Sequence, residues 1–268
     1  MSPTTLEVEI RNHVGLVWFN RPDIRNALNE VVLKELAATM KALEKDKGVR
    51  AIVLGGRGSA FCAGADLNWM KRAAGFSKAQ NAKDAAALAN TLWALYSLKK
   101  PTVARIHGPA YAGGMGFAAV CDIAVASTEA SFCLSETRLG LIAATISPYV
   151  VRAMGERAAS RYFLTAERFD AAEAYRIGFV QEIAPPEELD NQVNEILGHL
   201  VQAGPRALDE SKKLLQLVGA SKITPAIRAE TAKRIAETRA SAEGKEGIAS
   251  FLEKRKPRWV SDLNLPAK

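Results

Sequence analysis

Two loops built from very small residues are the part of this sequence best suited to chemistry. The first, FCAGADL, follows the apolar stretch AIVLGG, and the second, HGPAYAGGMGF, follows the stretch TVARI. Each loop is expected to open a helix, where backbone N–H groups have no partner within the helix. Two such groups aimed at one oxygen would stabilise negative charge that develops on it, as in an oxyanion hole. Tight turns that bind nothing would show the same composition, so the loops alone leave both interpretations open.

An acidic side chain follows the next apolar stretch. Glu136 stands in SFCLSETRLGL, and the apolar residues near it in sequence would remove it from water and raise its pKa: Phe132, Cys133, Leu134, Leu139 and Leu141. A carboxylate whose pKa approaches neutrality can both accept and return a proton. Glu136 is therefore a candidate general base, with an exposed glutamate at a strand end as the alternative.

Several other catalytic motifs fail on their spacing. The glycines of LGGRGSAFCAG lack the Gly-Lys-Ser/Thr of a phosphate-binding loop, AGGMG is half of a dinucleotide-binding motif, and there is no Gly-x-Ser-x-Gly elbow. The three histidines lie far apart in sequence without partners at ligand spacing, so no metal site is predicted. Cys62, Cys121 and Cys133 are expected to be buried, reduced thiols, with nucleophilic catalysis by Cys62 or Cys133 as a minor alternative.

The elements that must hold these residues alternate between strands and helices in the first half of the chain. The sequence predicts a hairpin in LEVEIRNHVGLVWFN, strands in VRAIVLGG and at 102–106 and 123–126, and helices at 26–47 and 73–100, the latter interrupted near Gly75. Beyond Ser147 the pattern is almost entirely helical to about Arg255. This order indicates an α/β fold with a core over residues 1–200 and a C-terminal helical subdomain over residues 201–268 that packs on it.

Composition and charge disfavour some classes of protein. The 268-residue chain is 48% hydrophobic and 24% charged, as in ordinary globular proteins, and has no apolar run long enough to span a membrane. Its N-terminus does not resemble a secretion signal, so a cytoplasmic protein is expected. The net charge of +7 comes from scattered basic residues, which does not favour nucleic acid as a partner. The densest basic cluster, EKRKPRW, would be a solvated helix end or a seat for ligand phosphates.

Taken in order, the motifs resemble those of the crotonase, or enoyl-CoA hydratase/isomerase, superfamily. The resemblance includes RPDIRNALN, AFCAGADL, KPTVARIHGPAYAGGMGFAAVCDIAVAS, SFCLSETRLGL and EGIASFLEKRKPRW, and it covers nearly the whole chain. It implies a crotonase-like spiral of ββα repeats followed by C-terminal helices, assembled as a homotrimer or a dimer of trimers. It also implies an acyl-CoA substrate that brings coenzyme A with it, and no separate cofactor or metal.

The resemblance also implies functions for particular residues. The two N–H donors that hold the thioester oxygen correspond to Ala65 and Gly113, and the catalytic acid–base corresponds to Glu136. The positions that correspond to substrate and CoA contacts are Arg25, Ala63, Asp66, Leu67, Gly114, Gly116, Phe251 and Lys254. Under this interpretation the small side chains leave room for the oxygen, and the basic C-terminal cluster contacts the phosphates of CoA.

One position departs from the pattern of the family's two-carboxylate hydratases. Gly116 stands where the first glutamate of that pair would be, so a two-carboxylate mechanism at these positions is excluded. Either Glu136 acts alone with water or another group assists it. The segments GADLNWMKR and LIAATISPYVV, together with Gly116, resemble bacterial methylglutaconyl-CoA hydratases, which commonly lack the same glutamate.

The function predicted from this subgroup is hydration of a branched, carboxylated enoyl-CoA, with 3-methylglutaconyl-CoA converted to 3-hydroxy-3-methylglutaryl-CoA in leucine catabolism. Lys71, Arg72 and Arg138 are candidate partners for the substrate carboxylate. Two alternatives stay open. One is isomerisation or general enoyl-CoA hydration at the same site, and the other is a non-catalytic or RNA-binding protein on the same fold.

Overall fold

The strands of the chain form two sheets. In the computed structural model, which describes residues 3–219, 221–261 and 263, the strands are β1 (Leu6–Arg11), β2 (Val14–Phe19), β3 (Ala51–Gly56), β4 (Thr102–Ile106), β5 (Ala110–Tyr111), β6 (Ile123–Ser127), β7 (Ser131–Cys133), β8 (Phe169–Asp170) and β9 (Glu182–Ala184). The main sheet has the order β1-β2-β3-β4-β6-β9 and the smaller sheet the order β5-β7-β8. In the main sheet β1 and β2 form an antiparallel hairpin, whereas the strands from β2 to β9 pair in parallel.

Helices connect and cover these strands. They are α1 (Glu30–Lys45), α2 (Leu67–Ala73), α3 (Lys78–Tyr96), α4 (Gly113–Val120), α5 (Ser147–Thr165), α6 (Ala171–Arg176), α7 (Leu189–Gln202), α8 (Pro205–Val218), α9 (Pro225–Ala240), α10 (Ala242–Leu252) and α11 (Arg258–Ser261). Two short 3-10 helices, Pro22–Ile24 and Glu136–Leu139, lie in loops that carry predicted functional residues. The predicted α/β class with a helical C-terminal region is confirmed.

Different helices cover the two faces of the main sheet. On one face α1, α3, α4 and α5 bury their apolar side chains in a continuous core with the strands. On the other face α7 packs alone, through a stripe of side chains at every fourth position: Leu189, Val193, Leu197 and Val201. Strands covered in this way are apolar on both faces, and β3 is buried at all six positions.

Helix α7 runs from the carboxyl ends of the parallel strands of the main sheet to their amino ends. Near its start, Asp190 pairs with Arg105, close to the carboxyl end of β4. Just beyond its end, the carbonyl of Ala203 accepts a hydrogen bond from Arg50, which immediately precedes β3. The chain therefore reaches the amino ends of the parallel strands. There, helices α8, α9 and α10 pack against one another, and α11 packs against α7.

Most predicted elements are confirmed, with shifted boundaries. The helix predicted from residue 26 begins at Glu30, because the side chain of Asn29 accepts hydrogen bonds from the first turn and caps it. The helix predicted at 73–100 is α3 (Lys78–Tyr96), which begins behind a capping box formed by Ser77 and Gln80. A separate helix before the predicted interruption near Gly75, α2 (Leu67–Ala73), is capped by Asp66 and ends where the prediction began.

The C-terminal half holds one short strand that the sequence pattern did not reveal, whereas β9 lies in the segment GFVQEIA, which reads as a strand in the sequence. The two-residue strand β8 lies between α5 and α6 and pairs with β7. A break at 203–204 separates α7 from α8, and the division of the chain into units at residue 200 stays a prediction. Within the described residues, none of the helices combines the length and the apolar character needed to cross a membrane.

A buried lysine joins α8 to the main sheet and can be tested by substitution. Nζ of Lys212, a residue 8% exposed, lies 2.6 Å from Oδ2 of Asp122 and also donates to the carbonyl of Lys100. Removal of Lys212 takes a charged donor from both oxygens, while water still reaches Asp122, whose side chain is 29% exposed. We expect Lys212→Met to lower the free energy of unfolding by about 1 kcal/mol, measured by urea denaturation.

The neighbouring lysine provides the control for this prediction. Lys213 is 45% exposed and pairs on the surface with Asp209 and Glu210. Because exposed pairs contribute little, Lys213→Met should change the free energy of unfolding by no more than about 0.5 kcal/mol. If both variants lost the same free energy of unfolding, the bonds of Lys212 would contribute no more to stability than an exposed ion pair does.

Candidate active site

The first small-residue loop is held by a parallel bridge to Leu28. The N–H of Leu28 donates to the carbonyl of Gly64 at 2.7 Å, and the N–H of Asp66 donates to the carbonyl of Leu28 at 2.8 Å. In an extended segment, successive residues direct their backbone groups to opposite sides. Because Gly64 and Asp66 both face Leu28, the N–H of Ala65 points away from it. That N–H has no acceptor within the described part of the chain.

The second loop leaves another N–H free at the start of α4. The N–H of Ala112 donates to the carbonyl of Cys133 at 2.8 Å, which ties the loop to β7. Gly113 is the first residue of α4, so its N–H has no acceptor inside the helix. Ala112 itself has φ 47° and ψ −117°, a conformation that residues other than glycine rarely adopt. Backbone strain is therefore stored at the residue that orients the Gly113 amide.

Direct contacts make the two loops neighbours. The N–H of Tyr111 donates to the carbonyl of Cys62 at 2.9 Å. A Cβ on Gly114 would lie 2.4 Å from that same carbonyl oxygen, so only glycine allows the start of α4 to approach this closely. The segments that carry the Ala65 and Gly113 amides therefore pack against each other. The missing side chain of Gly114 is thus explained by packing, and its contact with substrate stays a prediction.

Glu136 lies just beyond β7, the strand to which the second loop is tied. Its side chain is half-buried, and its Oε2 is buried with no hydrogen-bond partner among the described residues. Burial raises the pKa of Glu136 above its ordinary value, while a hydrogen bond from its own backbone N–H acts in the opposite direction. This oxygen therefore keeps an unused hydrogen-bonding capacity, although bulk solvent does not reach it in a single chain.

The apolar surroundings of Glu136 differ in part from the prediction. Phe132, Cys133 and Leu134 are buried, as expected, but Leu139 and Leu141 are 59% and 55% exposed. Both leucines follow Glu136 on the outer side of the 3-10 helix and its turn. The prediction that they shield the carboxylate is wrong for a single chain.

The cysteines near the loops are inert thiols. Cys62 and Cys133 are both buried and free, as predicted. Burial raises the pKa of Cys62 to about 12 and also raises that of Cys133. Because the thiolate is the nucleophilic form, neither is suited to nucleophilic catalysis at neutral pH.

Gly116 faces a packed side chain rather than open space. A Cβ at this position would lie 2.2 Å from Cγ2 of Ile146, a residue 2% exposed, and 3.6 Å from Cδ2 of Leu92. Ile146 belongs to the segment LIAATISPYVV, which departs from general hydratases in the same way as Gly116. The room for a side chain at position 116 is therefore filled by Ile146, and contact between Gly116 and substrate stays a prediction.

Three predicted contact residues border the first loop. Arg25 is exposed, and its carbonyl accepts a hydrogen bond from the N–H of Ala63 at 2.9 Å. Leu67 is the first residue of α2 and is 73% exposed. These positions are accessible beside the Ala65 amide, and their contact with CoA stays a prediction.

Asp66 is occupied by the protein itself. Its carboxylate caps α2 by accepting hydrogen bonds from the N–H groups of Asn68 and Trp69, and it forms an ion pair with Arg21 at 2.8 Å. The residue is 6% exposed. The prediction of a substrate contact is corrected, because the side chain of Asp66 holds the loop.

Phe251 and Lys254 lie far from the two loops within one chain. Phe251 is in α10 and is 82% exposed, and Lys254 follows two residues after the end of that helix. Helix α10 packs at the amino edge of the main sheet, whereas the loops leave the carboxyl ends of β3 and β4. A six-residue strand spans about 20 Å. Within one chain Phe251 and Lys254 therefore lie toward the opposite end of the strands from the loops, and their contact with CoA stays a prediction.

Two residues that hold the site were missed. The buried side chain of Asn26 donates to the carbonyls of Arg57 and Ala60 and accepts from the N–H of Arg21. Arg25 and Asn26 both have positive φ, in the left-handed region that asparagine tolerates better than most residues. Arg21 and Asn26 stand in RPDIRNALN, where an asparagine next to an apolar pair was the available signal for a special turn.

Comparison with known families identifies the chain. The model of the family described as enoyl-CoA hydratase/isomerase matches residues 9–262, a range that includes both loops and Glu136. The chain belongs to the enoyl-CoA hydratase/isomerase family.

Members of this family are similar to the chain along its whole length. The structure of an enoyl-CoA hydratase from Shewanella pealeana is 38% identical, with a TM-score of 0.94, and the match covers 96% of this chain and 97% of that one. Pseudomonas aeruginosa AtuE is 36% identical, with a TM-score of 0.90 and coverage of 95% and 99%. The crotonyl-CoA hydratase of Syntrophomonas wolfei is 31% identical over 264 residues, or 97% and 100% of the two chains. The crotonase fold predicted from the sequence is confirmed.

The contact between Gly116 and Ile146 predicts strong coupling between the two positions. In Gly116→Ala, the new methyl group would collide with Ile146, so we expect the free energy of unfolding to fall by about 2 kcal/mol. Ile146→Ala alone should lower it by about 3 kcal/mol, because it leaves a cavity. The double variant should lose at least about 1 kcal/mol less than the sum, since the methyl group then has room. Urea denaturation of all four proteins measures this cycle, and additive losses would contradict the packing described here.

Proposed function

We propose that this member of the family is a hydratase that adds water to, or removes it from, a branched, carboxylated enoyl-CoA. The substrate we propose is 3-methylglutaconyl-CoA, which would become 3-hydroxy-3-methylglutaryl-CoA. The observation that carries the hydratase assignment is the buried Oε2 of Glu136, which has no partner among the described residues and follows β7, the strand to which the loop of Gly113 is bonded. The names of the relatives, enoyl-CoA hydratase and crotonyl-CoA hydratase, support the same reaction.

In the proposed reaction the two amides stabilise the charge that forms on the thioester. When water adds to C3 of the enoyl group, electrons move to the thioester oxygen and form an enolate. The N–H groups of Ala65 and Gly113 are proposed to donate to that oxygen, and they need no reorganisation because neither donates to an acceptor in the described part of the chain. Small residues in both loops suit this function, since a bulky side chain would block the oxygen.

Glu136 is proposed to carry out both proton transfers of the reaction, which move the same proton from water to C2. As a carboxylate it accepts a proton from water while the water oxygen bonds to C3, and it then gives that proton to C2 of the enolate. The elevated pKa of Glu136 suits this double function, because a stronger base takes the proton more readily and the acid form still returns it. With Ile146 beside Gly116, the proposed mechanism uses one protein carboxylate.

The preference for a carboxylated substrate is supported by the resemblance in sequence and by the position of one cation. Arg72 pairs with Glu30 at 2.6 Å, whereas Lys71 and Arg138 are both exposed and form no ion pair with any described residue. Arg138 lies in the 3-10 helix that begins at Glu136, two positions from the proposed acid–base. We therefore propose Arg138, rather than Arg72 or Lys71, as the partner of the substrate carboxylate.

We also propose that the enzyme is a homotrimer or a dimer of trimers in the cytoplasm. The C-terminal region exposes large apolar side chains, including Ile223, Ile248, Phe251 and Leu252, as expected of surfaces that meet another chain. In such an assembly, Phe251 and Lys254 could contact only the CoA of a neighbouring copy.

Replacement of the carboxylate tests the hydratase assignment. We expect Glu136→Gln to lower kcat/KM for hydration by about 10²–10⁴-fold, because the amide cannot accept the proton of water, while acyl-CoA binding survives. The variant should be at least as stable as wild type at pH 7, since a raised pKa means that the ionised carboxylate destabilises the folded chain above its ordinary pKa. Turnover in heavy-oxygen water, followed by mass spectrometry, identifies the reaction. Product without the label would favour the isomerase alternative, and normal turnover by the variant would remove Glu136 from the mechanism.

A pair of substrates tests the carboxylate preference. 3-Methylcrotonyl-CoA lacks only the carboxylate of 3-methylglutaconyl-CoA, so wild type should use it with a kcat/KM lower by about tenfold or more. Arg138→Gln should lower kcat/KM for the carboxylated substrate by about tenfold and leave that for the other nearly unchanged. Arg72→Gln is the control and should behave as wild type. Equal use of both substrates by wild type would favour a general enoyl-CoA hydratase.

A further inference from the structure

One guanidinium connects the two segments whose backbone sets the direction of the Ala65 amide. Arg21 donates from Nη1 to the carbonyl of Ala27 and from Nη2 to Oδ2 of Asp66. Ala27 immediately precedes Leu28, and Asp66 immediately follows Ala65. The two bonds of Arg21 therefore brace the bridge between Leu28 and Ala65 from both of its segments.

The ion pair beside this bridge is well buried and its carboxylate has fixed partners. The side chains of Arg21 and Asp66 are 19% and 8% exposed. Burial alone would raise the pKa of Asp66, yet hydrogen bonds from Arg21 and from the N–H groups of Asn68 and Trp69 hold it below its ordinary value. The carboxylate is therefore charged at neutral pH. A charged group with three donors cannot turn without breaking strong hydrogen bonds.

We propose that Arg21 is a positioning residue for the oxyanion hole. It acts through the backbone, because it keeps the N–H of Ala65 pointing toward the position of the thioester oxygen. A planar guanidinium can bond two separate oxygens at once, which a lysine ammonium cannot match with the same geometry. Without Arg21, the carbonyl of Ala27 loses its hydrogen-bond donor. The buried carboxylate of Asp66 loses its ion-pair partner and keeps only the bonds from the start of α2.

This inference rests on the proposed function, because the direction of the Ala65 amide matters only if it is an oxyanion donor. Small displacements of such a donor weaken the stabilisation of the enolate much more than the binding of the neutral thioester. Loss of Arg21 should therefore lower kcat while KM changes little. A residue that only supports the fold would affect stability without this separation.

Acetoacetyl-CoA is a suitable probe, because its 1,3-dicarbonyl group ionises to an enolate that absorbs in the near ultraviolet. We expect wild type to lower the pKa of the bound probe relative to the free thioester, as an oxyanion hole must. Arg21→Gln should weaken enolate binding about tenfold, which raises the pKa of the bound probe by about one unit. Binding of butyryl-CoA, which forms no enolate at neutral pH, should change by less than about twofold.

Two further variants make the test specific. Arg21→Lys keeps the charge without the planar fork and should show an intermediate loss of enolate binding. Arg161→Gln is the matched control, because Arg161 forms an exposed ion pair with Glu167 on α5. It should bind the enolate as wild type does.

The outcomes separate this inference from the proposed function. A wild-type protein that leaves the pKa of acetoacetyl-CoA unchanged would show that the oxyanion hole itself is absent. If wild type lowers that pKa and the folded Arg21 variants lower it equally, Arg21 is not a positioning residue. Circular dichroism establishes folding, and if Arg21→Gln does not fold, the result with Arg21→Lys decides.

Discussion

Two backbone N–H groups without partners are the constraint around which the rest of this structure is arranged. Amides in folded proteins nearly always find an acceptor, so a free pair requires that the neighbouring groups be firmly bonded elsewhere. Around Ala65 this is done by the bridge to Leu28, and around Gly113 by the bond from Ala112 to β7. The parallel strands β3 and β4 bring the two loops to one edge of the main sheet. Helices on both faces then make that edge rigid.

The second constraint is the room beside α4. Gly116 lies one helical turn beyond Gly113, and Ile146 occupies the space that a side chain there would need. The absence of a second carboxylate is thus built into the packing of α4 against the segment before α5. Gly116 and the segment LIAATISPYVV both carry the resemblance to the methylglutaconyl-CoA hydratase subgroup. Because Ile146 of that segment packs against Gly116, the two features depend on each other. In the proposed mechanism a single carboxyl group, that of Glu136, moves the proton, and its buried Oε2 has no hydrogen-bond partner among the described residues.

Local patterns were enough to predict the elements and loops that surround the site. Strands of continuous apolar residues, loops of tiny residues and a glutamate after a buried strand are visible in the sequence, and each has a direct physical meaning. Long-range contacts were not visible. The ion pair of Arg21 joins residues 45 positions apart, and the capping function of Asp66 cannot be told from a ligand contact without the fold. The positions of Phe251 and Lys254 relative to the loops were not visible either, because a helical pattern does not show at which end of the strands α7 finishes.

The conformation of Ala112 has a consequence for the stability of the whole chain. A backbone held in such a rarely populated region costs on the order of 1–3 kcal/mol. That is a sizeable fraction of the 5–15 kcal/mol, roughly, by which typical domains stay folded. Relaxation of this turn is therefore downhill locally, and only the surrounding bonds to β7 and within α4 prevent it. On warming, this strained turn should relax at a lower temperature than the rest of the chain unfolds. Because the turn orients the Gly113 amide, catalytic activity should be lost before the fold.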